Sequence, residues 1–368
     1  MIDDPLGDLD RLEGRLMDLV DLGRGMCVGG YDSVPETLYL PEAKLVPLSD
    51  HVLWGGSWTC SFFYVVLSGT GRAMFIDYGH AFLPHMHLRS DDSGFESMRF
   101  VEHHLKELRR DWGVSSVDLV VPTHIHDDHV CGIPHLQRHY GTRCFALAEV
   151  AQVLAEPNAW ASTPCTLSKP IRIDRVLQDG DRFEWEQLIF DVFHAPGQTE
   201  FHSVLAADID GQRVAFTGDN YFLDEVLRDG QVTVEPNQTT VLRNSFQLRM
   251  HRRCVKVMRR IEPELICPGH REVYTRDRDA LDTYADFVAR KERVFGSLVA
   301  EPHDQFIDLF WARLVPYVSL VEPGGELTYT LRLRNNLERQ AALAARLLPA
   351  GATGGRGKPL GEEVLGDA

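Results

Sequence analysis

The chain has 368 residues, 44% of them hydrophobic, which is enough to bury a large core and excludes an unstructured chain. Its 54 acidic against 38 basic residues give a net charge of -16, and no Lys/Arg run is long enough to track a phosphate backbone. Nucleic acid and anionic membrane surfaces are therefore disfavoured as partners, since both need local positive charge.

In chain order, residues 8–22 place Leu9, Leu12, Leu16, Leu19 and Val20 at helical spacing, with Gly23 as the stop. From residue 43 the texture turns to β, and the two β-rich runs within 61–79 flank a Ser68-Gly69-Thr70-Gly71 hairpin turn. Residues 96–112 read as a helix and 117–121 as a strand that runs straight into Thr123-His124-Ile125-His126-Asp127-Asp128-His129. A helix at 133–140 and a strand at 143–147 follow, then strands at 188–194, 203–209 and 213–217, a helix at 245–261, a short strand at 264–267 and a helix at 279–298. Strands with helices at their ends predict two sheets packed face to face with helices outside. Beyond residue 301, the stretch 313–336 alternates apolar and polar residues around Pro323-Gly324-Gly325. It predicts two antiparallel strands with a third at 341–348, a partial sandwich whose free edge pairs with another subunit or with the main domain, followed by a polar Gly-rich tail.

The seven cysteines, Cys27, Cys60, Cys131, Cys144, Cys165, Cys254 and Cys267, are scattered and odd in number, as expected of reduced, mostly buried thiols in a cytoplasmic protein. The acidic first residues lack the basic and apolar regions of a signal peptide, and no stretch of about 18 apolar residues is available to span a membrane.

Chemistry concentrates in His124-x-His126-x-Asp128-His129, four candidate ligands on a loop held by a strand end. This pattern resembles the signature of the metallo-β-lactamase superfamily. Ile76-Asp77-Tyr78-Gly79, His194-Ala195-Pro196-Gly197-Gln198-Thr199, Phe216-Thr217-Gly218-Asp219 and Cys267-Pro268-Gly269-His270 are similar to that family's other motifs and stand in the same order. The resemblance implies an α/β fold, the αβ/βα four-layer sandwich, over residues 41–300, with a helical segment at 1–40 before it and a C-terminal segment at 301–368 that resembles the start of an immunoglobulin-like β domain.

The resemblance also implies two divalent metal ions, with zinc favoured and Fe(II) or Mn(II) as competitors. His124 and His126 would hold the first, Asp128, His129 and His270 the second, and Asp219 would bridge them. The implied function is a metallo-hydrolase. A metal-bridging hydroxide attacks an ester, lactone, amide, thioester or phosphoester of a small molecule, and Asp128 orients the nucleophile or passes a proton. An iron-dependent redox or persulfide-dioxygenase-type enzyme on the same fold is the alternative, although the diiron members typically carry Glu where His126 stands. Homo-oligomerisation is left open.

One position departs from the family pattern. Where the third motif usually places a histidine before Thr, this chain has Gln198, a poor zinc ligand. His202 is expected to complete the first site, with His194 as the other candidate and Gln198 or water as the remaining one. Asp127 is expected to point away as a solvent-facing or loop-capping carboxylate, and Asp77 to support the metal loop or cap its strand end. His85, His87, His103, His104, His135 and His139 are expected mostly at the surface. Trp54, Trp58, Phe62, Phe63, Tyr64, Tyr221 and Phe222 are expected in the core, with Tyr221 and Phe222 alternatively lining the pocket.

Overall fold

A computed structural model describes residues 45–56, 61–79, 95–160, 166, 170–228, 231–237, 252–270, 273–275, 278–298, 312–316 and 324–333. The expected helix at 8–22, the strand at 341–348 and the tail lie outside these residues.

The first sheet begins as an antiparallel meander of β1 (Val46–Pro47), β2 (Val52–Gly56), β3 (Phe62–Leu67) and β4 (Arg72–Ile76). The turn between β3 and β4 falls on Ser68–Gly71 as its residues predict, and Gly71 takes a positive φ of 79°. Three strands then add in parallel, β5 (Ser116–Val121), β6 (Arg143–Leu147) and β7 (Arg175–Leu177). Parallel neighbours need crossovers. These are supplied by α1 (Phe95–Asp111), by α2 (Asp127–Val130) with α3 (Ile133–Tyr140), and by α4 (Ala148–Ala155) with a 3-10 turn at Pro157–Ala159. Every residue of β3 is buried, as its unbroken apolar run FFYVVL requires of a strand covered on both faces.

The second sheet runs β8 (Arg182–Trp185), β9 (Leu188–His194), β10 (Ser203–Ile209), β11 (Gln212–Gly218), β14 (Leu265–Pro268) and β15 (Tyr274–Thr275) in space, with β14 parallel to β11. Side chains alternate across it. Phe190, Val192, Leu205, Ala207 and Phe216 join the core shared with the first sheet, whereas Phe193, Val204, Ala206 and Ala215 pack with α5 (Arg252–Ile261) and α6 (Arg278–Leu298). The result is the αβ/βα four-layer sandwich.

Several elements escaped the sequence reading, α4, the 3-10 turn after it and β15 among them. β7 and β8 are too short to show a period, and β12 (Phe222–Arg228) pairs antiparallel with β13 (Gln231–Asn237) as a separate two-stranded sheet, with Arg228 opposite Gln231. The C-terminal strands pair as expected, β16 (Ala312–Val315) with β17 (Thr330–Leu333). Among the described residues they form their own two-stranded sheet and meet the main domain through side chains. The Arg313 guanidinium stacks 3.5 Å above the Trp160 ring, and Trp160 meets Phe201 edge-on at 4.8 Å.

Candidate metal centre

Two pairs of parallel strands deliver the site. Ile76 pairs with Val121, so Asp77 and Thr123-His124 leave neighbouring strands side by side, and Gly218 pairs with Pro268, so Asp219 and Gly269-His270 do the same in the other sheet. A register shift between Phe216 and Gly218 re-aims the chain just before Asp219. The two sheets are stitched together at this end. Ser203 donates both its N–H (2.7 Å) and its hydroxyl (2.8 Å) to the Thr123 carbonyl, His124 and His202 form an isolated antiparallel bridge, and the Phe62 N–H donates to Gly269 at 2.7 Å. The ligand-bearing loops are thereby held against both layers.

Asp77 fixes the orientation of the cluster. Its carboxylate accepts the Thr123 N–H at 2.6 Å and the Thr123 hydroxyl at 2.8 Å, and His129 Nδ1–H donates to it at 3.0 Å. Because the Thr123 hydroxyl spends its proton on Asp77, its oxygen accepts from His124 Nδ1 at 3.0 Å. Nδ1 of each imidazole is thus engaged, which turns Nε2 of both rings toward the interior as the atom a metal would take. Asp77 supports the metal loop and holds its own strand end through the same oxygens, and it does so with φ at 56°.

Ligand-type atoms of His124, His126 and Asp219 lie within 4.8 Å of one another, as do those of Asp128, His129 and His270. Asp219 joins the two groups. Its Oδ1 is 3.2 Å from His129 Nε2, and its Oδ2 is 3.3 Å from His270 Nε2 and 3.6 Å from His124 Nε2. Asp128 Oδ2 lies 3.4 Å from His129 Nε2 and 3.5 Å from His270 Nε2.

This donor set fits metal ions. His124 Nε2, His129 Nε2, Gln198 Oε1 and Asp219 Oδ1 are buried without a hydrogen-bond partner among the described residues, and each such atom costs about 1–3 kcal/mol unless something else satisfies it. The cavity also has no room for an extra carbon. A Cβ on Gly269 would sit 2.6 Å from both Asp219 Oδ1 and His129 Cε1, and one on Gly218, already at φ +51°, would sit 2.7 Å from His202 Nε2.

Electrostatics divides the cluster. Burial pushes His124 well below the usual imidazole range, helped by the charge on His129, and takes His126 down to about 4, so both are neutral donors. At His129 burial acts in the same direction but is outweighed by Asp128, Asp219 and Asp77, which raise it. His270 is raised to about 9, mainly by Asp219 and Asp128 against burial. Burial would raise Asp219, yet His270, His129 and His124 hold it well below the carboxylate range. Positive charge is therefore drawn to the space between Asp128 and Asp219.

Residues 92–270 match the profile of the metallo-beta-lactamase superfamily. The chain contains a metallo-beta-lactamase superfamily domain. The hydroxyacylglutathione hydrolase of Aeromonas salmonicida (strain A449) is 30% identical to it over 106 residues, 29% of this chain and 34% of that protein. The hydroxyacylglutathione hydrolase of Aeromonas hydrophila subsp. hydrophila is 29% identical over the same length. The match thus spans about a third of the length of these curated relatives. Solved metallo-beta-lactamases share the fold at low identity. That of Cronobacter sakazakii superposes with a TM-score of 0.50 at 13% identity, covering 70% of this chain and 96% of that one. That of Novosphingobium pentaromativorans gives 0.51 at 16%, covering 70% and 92%.

Within this metallo-beta-lactamase domain the structure brings together His124, His126, Asp128, His129, Asp219 and His270, but it places His202 differently from the expectation. His202 Nε2 accepts the backbone N–H of Asp219 at 3.1 Å, and its ring stacks on His124 at 4.8 Å with 15° between the planes. With Nε2 engaged in this way His202 lies outside the two groups of ligand-type atoms, and its Nδ1 is buried without a hydrogen-bond partner among the described residues. His194 is also engaged elsewhere, its Nε2 with the Glu200 carbonyl at 2.8 Å. Gln198 is the side chain that reaches the cluster, donating from Nε2 to Asp219 Oδ2 at 2.5 Å.

Asp127 is buried, not solvent-facing. Its Oδ1 accepts the Asp128 N–H at 3.1 Å, and burial followed by repulsion from Asp128 raises it to about 7. His104, expected at the surface, is fully buried edge-on to Phe63 at 4.9 Å, with its Nδ1 3.3 Å from the Tyr78 hydroxyl. Phe62, Phe63, Tyr64 and Tyr221 are buried as core residues. Of the cysteines described, Cys131, Cys144, Cys254 and Cys267 form no disulfide with one another, and all but Cys131 are buried. No described helix is long and apolar enough to cross a membrane.

Proposed function

We propose that this chain is a binuclear metallo-hydrolase, with zinc as the favoured metal, acting in the cytoplasm on a small-molecule ester, lactone, amide, thioester or phosphoester. The observation that carries the reading is the pair of ligand groups, His124–His126 and Asp128–His129–His270, with one buried carboxylate, Asp219, facing both. When bound, a pair of divalent cations supplies Lewis acidity and water acidified to a pKa of about 7. The chain's own contribution is positional. Asp77 and Thr123 engage Nδ1 of His129 and His124, and His202 and Gln198 orient Asp219. Asp128, half-buried and 3.5 Å from His270 Nε2, is the carboxylate that would accept a proton from the attacking water and pass it to the leaving group. The match to hydroxyacylglutathione hydrolases makes small thioesters the first substrates to test, and the buried cysteines that form no disulfide with one another support a reducing compartment.

The test is a panel of thioesters, esters, lactones and phosphodiesters assayed with zinc-loaded wild-type protein and with Asp128→Asn, alongside elemental analysis. Hydrolysis of at least one class, lost on chelation and lowered by about 10²–10⁴-fold in Asp128→Asn, supports the reading. Iron in place of zinc with oxygen uptake would favour the redox alternative, and an inert, fully metal-loaded protein would contradict both.

A further inference from the structure

The two halves of the cluster are not equivalent. Around Asp128–His129–His270 there are two imidazole nitrogens and a half-buried carboxylate, and Asp219 Oδ1 faces His129 with no other partner among the described residues. His129 is also held by a direct Nδ1–H donation to the charged Asp77, an arrangement that fixes the ring and raises the basicity of its free nitrogen. Around His124–His126 there are only two imidazoles. His124 is held through the neutral Thr123 hydroxyl, and the Asp219 oxygen nearest it, Oδ2 at 3.6 Å, accepts the Gln198 amide at 2.5 Å and lies closer still, at 3.3 Å, to His270 Nε2. His202 is not among the clustered ligand-type atoms, and its Nε2 accepts the Asp219 N–H.

Resting on the metal-centre reading above, we infer that Gln198 makes the two metal positions unequal. The Asp128–His129–His270 position, completed by Asp219 Oδ1, holds a divalent cation tightly. The His124–His126 position holds one weakly and exchanges it, because Gln198 spends its amide N–H on the bridging carboxylate and has only a neutral amide oxygen, a poorer zinc ligand than a third imidazole, to offer the cation. Gln198 is on this view a tuning residue for metal occupancy, and His202 a positioning residue. Removing one supporting interaction typically changes metal affinity by roughly 10–100-fold, which sets the size of the expected difference.

The experiment titrates the metal-free full-length chain with Zn²⁺ calorimetrically and needs no substrate. Wild type is expected to take one tight equivalent and a second at least tenfold weaker. Gln198→His is expected to tighten the weaker one by about tenfold or more, and His270→Ala to abolish the tight one while the circular dichroism spectrum is unchanged. Two equivalents of equal affinity in wild type would overturn the inference, as would a tight equivalent that survives in His270→Ala. Should Gln198→His fail to fold, the wild-type stoichiometry and His270→Ala still decide. Unequal binding without hydrolysis of any substrate would refute the hydrolase reading alone, and hydrolysis with two equal cations would refute this inference alone.

Discussion

Asp77 carries three hydrogen bonds on two oxygens, two from Thr123 and one from His129. Replacing it with Ala leaves the buried Thr123 N–H and hydroxyl unsatisfied, at about 1–3 kcal/mol each, and frees the His129 ring. Asp77→Ala is therefore expected to lower both the denaturation midpoint and metal affinity, the latter by roughly 10–100-fold. Asp77→Asn should recover part of the stability and little of the affinity, because an amide is a weaker partner for an imidazole that must stay basic. Calorimetric zinc titration beside urea unfolding separates the two effects. A second expectation concerns pH. The metal-free pKa of His270, at about 9, lies above the ordinary 6.5, so the stability it contributes to the metal-free protein is fully present below about pH 6.5 and lost as pH rises through 9. Metal must displace that proton, so apparent affinity should rise by about tenfold per pH unit for each proton released between pH 7 and 9. Zinc titrations in buffers of different ionisation enthalpy count those protons, and a pH-independent affinity would contradict the assignment. At this scale the sequence announces residue types and leaves ring orientation hidden. His202 reads as a ligand from spacing alone, because the Asp219 N–H that occupies its Nε2 comes from a different strand. His104 reads as a surface residue because only the fold brings Phe63 and Tyr78 to it.

The parallel pairs β4–β5 and β11–β14 explain why ligands far apart in sequence meet, since each pair releases two loops at one end of its sheet. That much was legible, because each motif follows an apolar run and precedes a turn. The hairpin β12–β13 was not, although Asp229-Gly230 between two β-rich segments is a turn signal that could have found it. Nor does any local pattern show that Arg313 lies on Trp160 and Trp160 on Phe201, next to His202. This stack ties the C-terminal strand pair to the loop that carries Gln198 and His202. Trp160→Ala should cost about 3–5 kcal/mol in urea unfolding, as a large buried aromatic lost from a packed site. Arg313→Ala should cost about 0.5–2 kcal/mol, the range of a partly desolvated cation–π contact. Equal small effects from both would mean that the strand pair does not brace this loop.

Across the whole molecule, the candidate ligands come from both sheets, so a cation bound there would cross-link the two halves of the sandwich. Binding confined to the folded state adds RT ln(1 + [L]/Kd), about 4 kcal/mol when free metal exceeds its dissociation constant a thousandfold. Chelation should accordingly lower the thermal midpoint, and zinc should restore it. An unchanged midpoint would argue against a tightly held ion. The fold was legible at this scale because five motifs in order constrain topology more than any single element does. Substrate choice was not, since in such folds it resides in loops and appended segments.

The central claim is metal-dependent hydrolysis, and the most direct test is the initial rate of small-thioester hydrolysis as zinc is returned to chelator-stripped protein. The account predicts a rate near zero in stripped protein that rises with bound zinc to a plateau and stays low in Asp128→Asn. A rate independent of zinc, or none from fully loaded wild-type protein against thioesters, esters, lactones, amides and phosphoesters alike, would contradict it.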